Sequence, residues 1–185
     1  MRCVVIDGSG HPGGHTAACC DSMVRSLAGR GWDMALRSVP VGSSSHCNGC
    51  GKCSASGRCV FEDGISALLD EIGGCDLLII ASPIRFSGLS SQVKMLVDRM
   101  NPLWHKPSNV PRNMAWVLVG GADDPKFSNA ESELTALALG IGSKSVGSVD
   151  ISGTDHNDIS CSVGSSLMFA EDVFNRLCTD RSVRS

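Results

Sequence analysis

Neither sign of charge dominates this chain. Of its 185 residues, 16 are Lys or Arg and 19 are Asp or Glu, a net charge of −3. That balance excludes the strongly basic face that binds nucleic acid or an anionic membrane surface. Long hydrophobic runs are lacking too. Runs such as Leu77–Ala81 and Met114–Val119 fall far short of the roughly 18 apolar residues a membrane span takes. The first residues, MRCVVIDG, run straight into a strand pattern with no charged and then apolar leader, so no export signal is expected. Neither an internal repeat nor a linker divides the sequence. The expectation is a single soluble, cytoplasmic domain over residues 1–185, long enough to bury a sizeable core.

Several chemistries lack their signatures. No Gly-Lys-Ser/Thr follows the glycine-rich segment, which excludes a Walker loop. The carboxylates of DGSGHPG and DISGTDHND show no paired acid–base spacing and read as solvated loops. What the chain does have is cysteine, ten in all. With no export signal and a large core, clustered cysteines serve metal or redox chemistry more often than a disulfide framework. Cys3, Cys19, Cys20, Cys75, Cys161 and Cys178 stand among apolar neighbours and read as small buried residues. Cys47, Cys50, Cys53 and Cys59 are different, crowded into HCNGCGKCSASGRC with spacing C-x2-C-x2-C-x5-C.

Apolar runs at Cys3–Ile6, Leu77–Ala81, Trp116–Val119 and Val146–Ile151, with a weaker one at Asp33–Val39, predict strands. Helical periodicity covers Thr16–Ala28, Ile65–Ile72, Gln92–Met100, Ala130–Leu139 and Leu167–Leu177. This alternation predicts an α/β domain, its parallel sheet covered on both faces. Two long loops stand out: 40–63, rich in cysteine, and 102–113, rich in proline and carrying Trp104. The tail TDRSVRS is expected to fray. Ligands of parallel sheets sit where loops leave the carboxyl ends of strands. Three such loops are rich in small residues: GSGHPGGHT, SPIRFSGLSS and GGADD. The cysteine loop follows strand two, which predicts that it opens beside them.

GSGHPGGHT lies between a strand and a helix, where glycines let backbone N–H groups approach a phosphate and the helix dipole favours it. It matches G-x-G-x-x-G, but no acidic residue ends strand two; Arg37 there keeps a dinucleotide reading open through a 2'-phosphate. Together, GSGHPGGHT, SPIRFSGLSSQVKMLVDR and VLVGG resemble the flavodoxin-like NAD(P)H-dependent FMN reductase family over about residues 1–155. The resemblance implies a three-layer sandwich with a five-stranded parallel sheet in the order 2-1-3-4-5. It further implies that Ser9, His11, Gly14, His15 and Thr16 surround the FMN phosphate. Pro83, Ile84, Arg85, Phe86, Ser87 and Gly88 would border the isoalloxazine ring, and Gly120 and Gly121 would approach it from the third loop. His11 stands where the family often has Arg, and Arg85 where an aromatic residue is usual, in a chain with no tyrosine. A guanidinium there would favour an anionic reduced flavin.

Four thiols so close suit the four corners of a [4Fe–4S] cube, with Gly49, Gly51 and Gly57 allowing the tight turns. A zinc site and a thiol or disulfide loop are the other readings of this spacing. The spacing also resembles the compact cysteine motif of iron–sulfur flavoproteins, a branch of the same group. That resemblance implies an FMN-dependent oxidoreductase, electrons from NAD(P)H, and a cluster passing them singly to a small-molecule or protein acceptor. An electron carrier that does not oxidise NAD(P)H is the alternative. A homodimer or homotetramer is implied, with Trp104 a candidate contact, and no side chain is assigned as a catalytic acid or base.

Overall fold

A computed structural model describes residues 1–182. The strands are β1 (Arg2–Asp7), β2 (Asp33–Ser38), β3 (Leu77–Arg85), β4 (Gly88–Leu89), β5 (Asn113–Val119) and β6 (Lys144–Ile151). The helices are α1 (His15–Ala28), α2 (Cys53–Ser56), α3 (Gly64–Ile72), α4 (Ser91–Arg99), α5 (Asn101–His105), α6 (Ser128–Ile141) and α7 (Ile159–Ser182). Five strands pair in parallel in the order β2-β1-β3-β5-β6, and the two-residue β4 folds back antiparallel on the end of β3. With β4 set aside, this is the 2-1-3-4-5 order of the flavodoxin-like fold. The sixth strand is a correction: it is a hairpin return too short to leave a periodicity of its own.

Alternation along each strand sorts the core into two layers. Val4, Ile6, Leu78, Ile80, Trp116 and Leu118 pack with residues of α3, α4 and α6. Cys3, Val5, Leu77, Ile79, Ala115 and Val117 pack with α1 and α7. Central strands covered on both faces carry no polar alternation, which is why Cys3–Ile6 and Leu77–Ala81 are fully buried. Cys3, Cys19, Cys20 and Cys75 are buried as expected, and desolvation pushes their thiols up, Cys75 to about 11. Cys161 and Cys178 correct that reading: both are exposed, on the outer side of α7.

Loop 102–113 is partly helical, since α5 carries Trp104, and loop 40–63 contains α2. The last helix begins eight residues before its apolar periodicity and continues to Ser182; the rest of the tail, residues 183–185, lies outside the described residues. Among the described residues, no helix is long and apolar enough to cross a membrane.

Candidate functional site

The first loop is tied to the second at the carboxyl edge of the sheet. Gly8 N–H donates to Ala81 O at 2.9 Å, and Ser90 Oγ donates to Gly8 O at 2.8 Å. Ser90 N–H in turn donates to Ser82 Oγ at 3.0 Å. Position 8 must be glycine, because a Cβ there would lie 2.1 Å from Val93 Cγ2 and 2.6 Å from Ala81 O. Within the loop, Asp7 Oδ1 accepts from Ser9 N–H at 2.9 Å, and His11 O accepts from Gly14 N–H at 3.2 Å. Gly14 is the N-cap of α1, with no side chain capping the first turn. The leading amides of a 14-residue helix are thus left uncovered beside Ser9 and the buried Thr16. His15 Nδ1 lies 2.8 Å from Ser162 Oγ on α7. His11 is exposed.

The second loop is a hairpin. Arg85 pairs with Gly88 across a two-residue turn in which Phe86 and Ser87 both have positive φ, 48° and 65°. Such turns favour Asn-Gly; two residues with side chains there carry backbone strain of the kind found at ligand contacts. Pro83 is buried at the base, Ile84 half-buried, Arg85 exposed, and Phe86 fully exposed at the tip. In the third loop, Gly120 O accepts from Thr154 N–H and Oγ1, both at 3.2 Å. A Cβ on Gly121 would meet the Asp155 carboxylate at 2.4 Å. Glycine is required at 120 because a Cβ there would lie 2.4 Å from Pro125 Cγ, and at 121 because of Asp155. Arg37, open to a dinucleotide reading, is taken up by a two-point ion pair with Glu71 on α3.

Cys47, Cys50, Cys53 and Cys59 line a single cavity of about 90 Å³, shared with Phe61, Asp98, Arg99, Asn101 and Pro102. Gly49, Gly51 and Gly57 each have φ near +70°. The cavity sits at the far end of α4 from the first loop. It lies against the C-terminal end of α4, whereas Ser90, the N-cap of that helix, holds the first loop. About 12 Å of helix axis separates the two ends. The 24-residue loop 40–63 leaves the carboxyl end of β2 and reaches the end of α4.

Arg99 anchors it there and is 1% exposed. Its Nη1 donates to Ser45 O at 2.5 Å and to Asp63 Oδ2 at 2.8 Å. Nη2 donates to Asp63 Oδ1 at 2.9 Å and Ser66 Oγ at 3.2 Å. The guanidinium sits 5.2 Å above the Phe61 ring. Asp63 also caps α3 through Ile65 N–H and Ser66 N–H. The Arg99 bonds, with those backbone donors, hold its carboxyl at about 2, well below the usual 3.8. Cys59 lines the same cavity as Arg99. Arg99 Nε is buried with no hydrogen-bond partner among the described residues. Four thiols beside a buried cation with a spare donor suit an anionic iron–sulfur group. Among the described residues, no three His, Cys, Asp or Glu side chains converge as ligands of one ion; a cube, whose four corners spread its thiolates apart, does not ask them to.

Sequence reasoning missed Arg99, Asp63, Ser90 and Asp155. The signal for Arg99 was present: it falls on the apolar stripe of α4 at Val93, Leu96, Arg99, a position where a charge must find buried partners.

The doubly covered parallel sheet, with its capless α1 behind a glycine loop, defines a flavodoxin-like domain. Residues 1–153 match the family model described as NADPH-dependent FMN reductase, and the chain belongs to that family. Among curated proteins it is similar to an iron-sulfur flavoprotein of Archaeoglobus fulgidus, 31% identical over 58% of this chain and 49% of that protein. It is 32% identical to an iron-sulfur flavoprotein of Methanocaldococcus jannaschii, over 56% of this chain and 53% of that protein. The chain thus spans about half the length of these relatives, which belong to the iron–sulfur flavoprotein branch. Among solved structures it superposes on an FMN-dependent NADH-azoreductase from Bacillus anthracis in complex with FMN. The TM-score is 0.67 at 13% identity, covering 96% of this chain and 99% of that one. That likeness speaks to the fold.

Proposed function

We propose that this chain is an FMN-dependent oxidoreductase that accepts reducing equivalents from NAD(P)H, and that Cys47, Cys50, Cys53 and Cys59 hold a [4Fe–4S] cluster serving as its one-electron outlet. The observation that carries the flavin reading is the uncapped first turn of α1 behind the glycine loop, in a chain of the FMN reductase family. Amides of His15, Thr16 and Ala17, with the Ser9 hydroxyl, would hold the phosphate. The hairpin from Pro83 to Gly88 would border the ring, its strained tip placing Phe86 and Arg85 at the rim. Arg85 would supply a fixed positive charge beside the ring and raise its potential. Bound FMN would supply hydride acceptance in two-electron steps and release in single ones. The cysteine cavity supports the cluster by its four thiols and its buried cation. Exposed Phe86, Trp104 and Leu139 support assembly as a homodimer or homotetramer. A reducing cytoplasmic setting would suit thiols kept free for metal.

Anaerobic purification, a visible spectrum, and iron and sulfide assays test this. Flavin absorbance with about four iron and four sulfide per chain is expected. Flavin without iron would remove the cluster and leave a simple FMN reductase. Iron without flavin would remove the reductase.

A further inference from the structure

The cysteine loop is closed at both ends by one side chain. Arg99 binds Ser45 O just before the first cysteine. It also binds Asp63 just after the last, and Phe61 O at 3.4 Å. Asp63 completes the closure by accepting from Ser45 N–H at 3.0 Å. Lys106 braces the middle, donating to Ala55 O and packing on Gly57. So segments 18 residues apart are joined through a guanidinium buried in the protein. A structural clamp would be complete with the two terminal nitrogens. Yet, among the described residues, Nε stays unpartnered in a buried residue that lines the thiol cavity together with Cys59. A buried N–H left so is costly unless something accepts it.

We propose that Arg99 is the positioning residue of the thiol cavity: it preforms the cysteine loop from both ends and presents its remaining Nε–H to the sulfur at Cys59. This rests on the cluster reading above for what that sulfur ligates. A donor to a ligating sulfur stabilises the more negative, reduced state and raises the reduction potential. Arginine is required, because lysine has one compact ammonium. It can replace the charge but not five directed donors.

The test uses FMN-loaded, anaerobically purified protein and two variants, Arg99→Lys and the neutral pair Asp63→Asn with Arg99→Gln. The second leaves no unpaired charge buried if the first fails to fold. Neither position lies among the proposed FMN contacts, so FMN affinity should stay within twofold of wild type, which reports the fold. Trypsin cutting after the exposed Lys52 and Arg58 reads the loop, and redox titration of the cluster reads the donor. At least tenfold faster cutting and a more negative cluster potential in both variants are expected. Wild-type cutting, or a wild-type potential at wild-type iron content, overturns the inference. If wild-type protein carries no iron, the cluster reading fails on its own. Arg99 is then judged by cutting alone: tenfold faster cutting in the variants sustains the positioning role, and an unchanged rate removes it.

Discussion

Replacing Asp63 with Asn tests the clamp energetically. The Asp63 side chain is 12% exposed and accepts from Ser45, Ile65, Ser66 and Arg99. Its carboxyl is held at about 2 against an ordinary 3.8. At about 1.4 kcal/mol per unit, that drop corresponds to about 2.4 kcal/mol of stability at neutral pH. Because the folded value is the lower one, the contribution is whole above about pH 5 and drains away as pH falls through 3.8 towards 2. Asn is as good an N-cap as Asp, so the α3 cap survives the change. The loss of counter-charge leaves Arg99, 1% exposed, as an unpaired buried cation, and breaking such a pair costs about 3–5 kcal/mol. We expect Asp63→Asn to lower the unfolding free energy by about 3 kcal/mol at pH 7, measured by urea denaturation at fixed FMN concentration. At pH 3 the gap to wild type should narrow by about 1 kcal/mol. A gap below about 1 kcal/mol at pH 7, or one equally wide at pH 3, would refute the reasoning.

Three further outcomes follow from other parts of the molecule. Gly8→Ala drives a Cβ to 2.6 Å from the Ala81 carbonyl, which cannot rotate away. It should cost about 2 kcal/mol in thermal unfolding and weaken FMN binding, and a wild-type melting temperature would count against the tight approach of the two loops. Asp150 is pushed up to about 6 by desolvation and by Glu131, so the folded state holds a proton that the unfolded state releases. Stability should therefore fall between about pH 4 and 6, and Asp150→Asn should flatten that slope in denaturation curves; an unaltered slope would contradict it. Cys161→Ser with Cys178→Ser alters exposed thiols remote from the cavity and should leave iron content unchanged, whereas Cys59→Ser should lower it by more than half; equal losses in both would refute the cavity as the metal site.

The sheet was legible because buried parallel strands are continuous apolar runs, and Leu77–Ala81 allows no other reading. The glycine loop was legible because a strand, a glycine turn and a helix start follow one another without a gap. Strand β4 was not, since two residues carry no period. The four cysteines could be grouped from spacing, but their place could not. A 24-residue loop has no periodicity to aim it, and its position is set by Arg99, 36 residues after Asp63. Cys161 and Cys178 misled because the helix carrying them has weak amphipathic patterning, so apolar neighbours in sequence did not mean burial in space. Resemblance places Gly120 and Gly121 at the ring, and in the structure a Cβ at these positions would meet Pro125 and Asp155 of this same chain.

The central claim is that the rim formed by residues 8–16, 82–90 and 120–121 binds FMN and that NAD(P)H reduces it there. Titration of apoprotein with FMN under argon, followed by flavin fluorescence and then by the absorbance near 450 nm on adding NADPH or NADH, tests it most directly. Saturable quenching at one flavin per chain, and bleaching on nicotinamide addition that air reverses, is the predicted result. Fluorescence that stays that of free FMN, or a bound flavin that neither nucleotide bleaches, would contradict it.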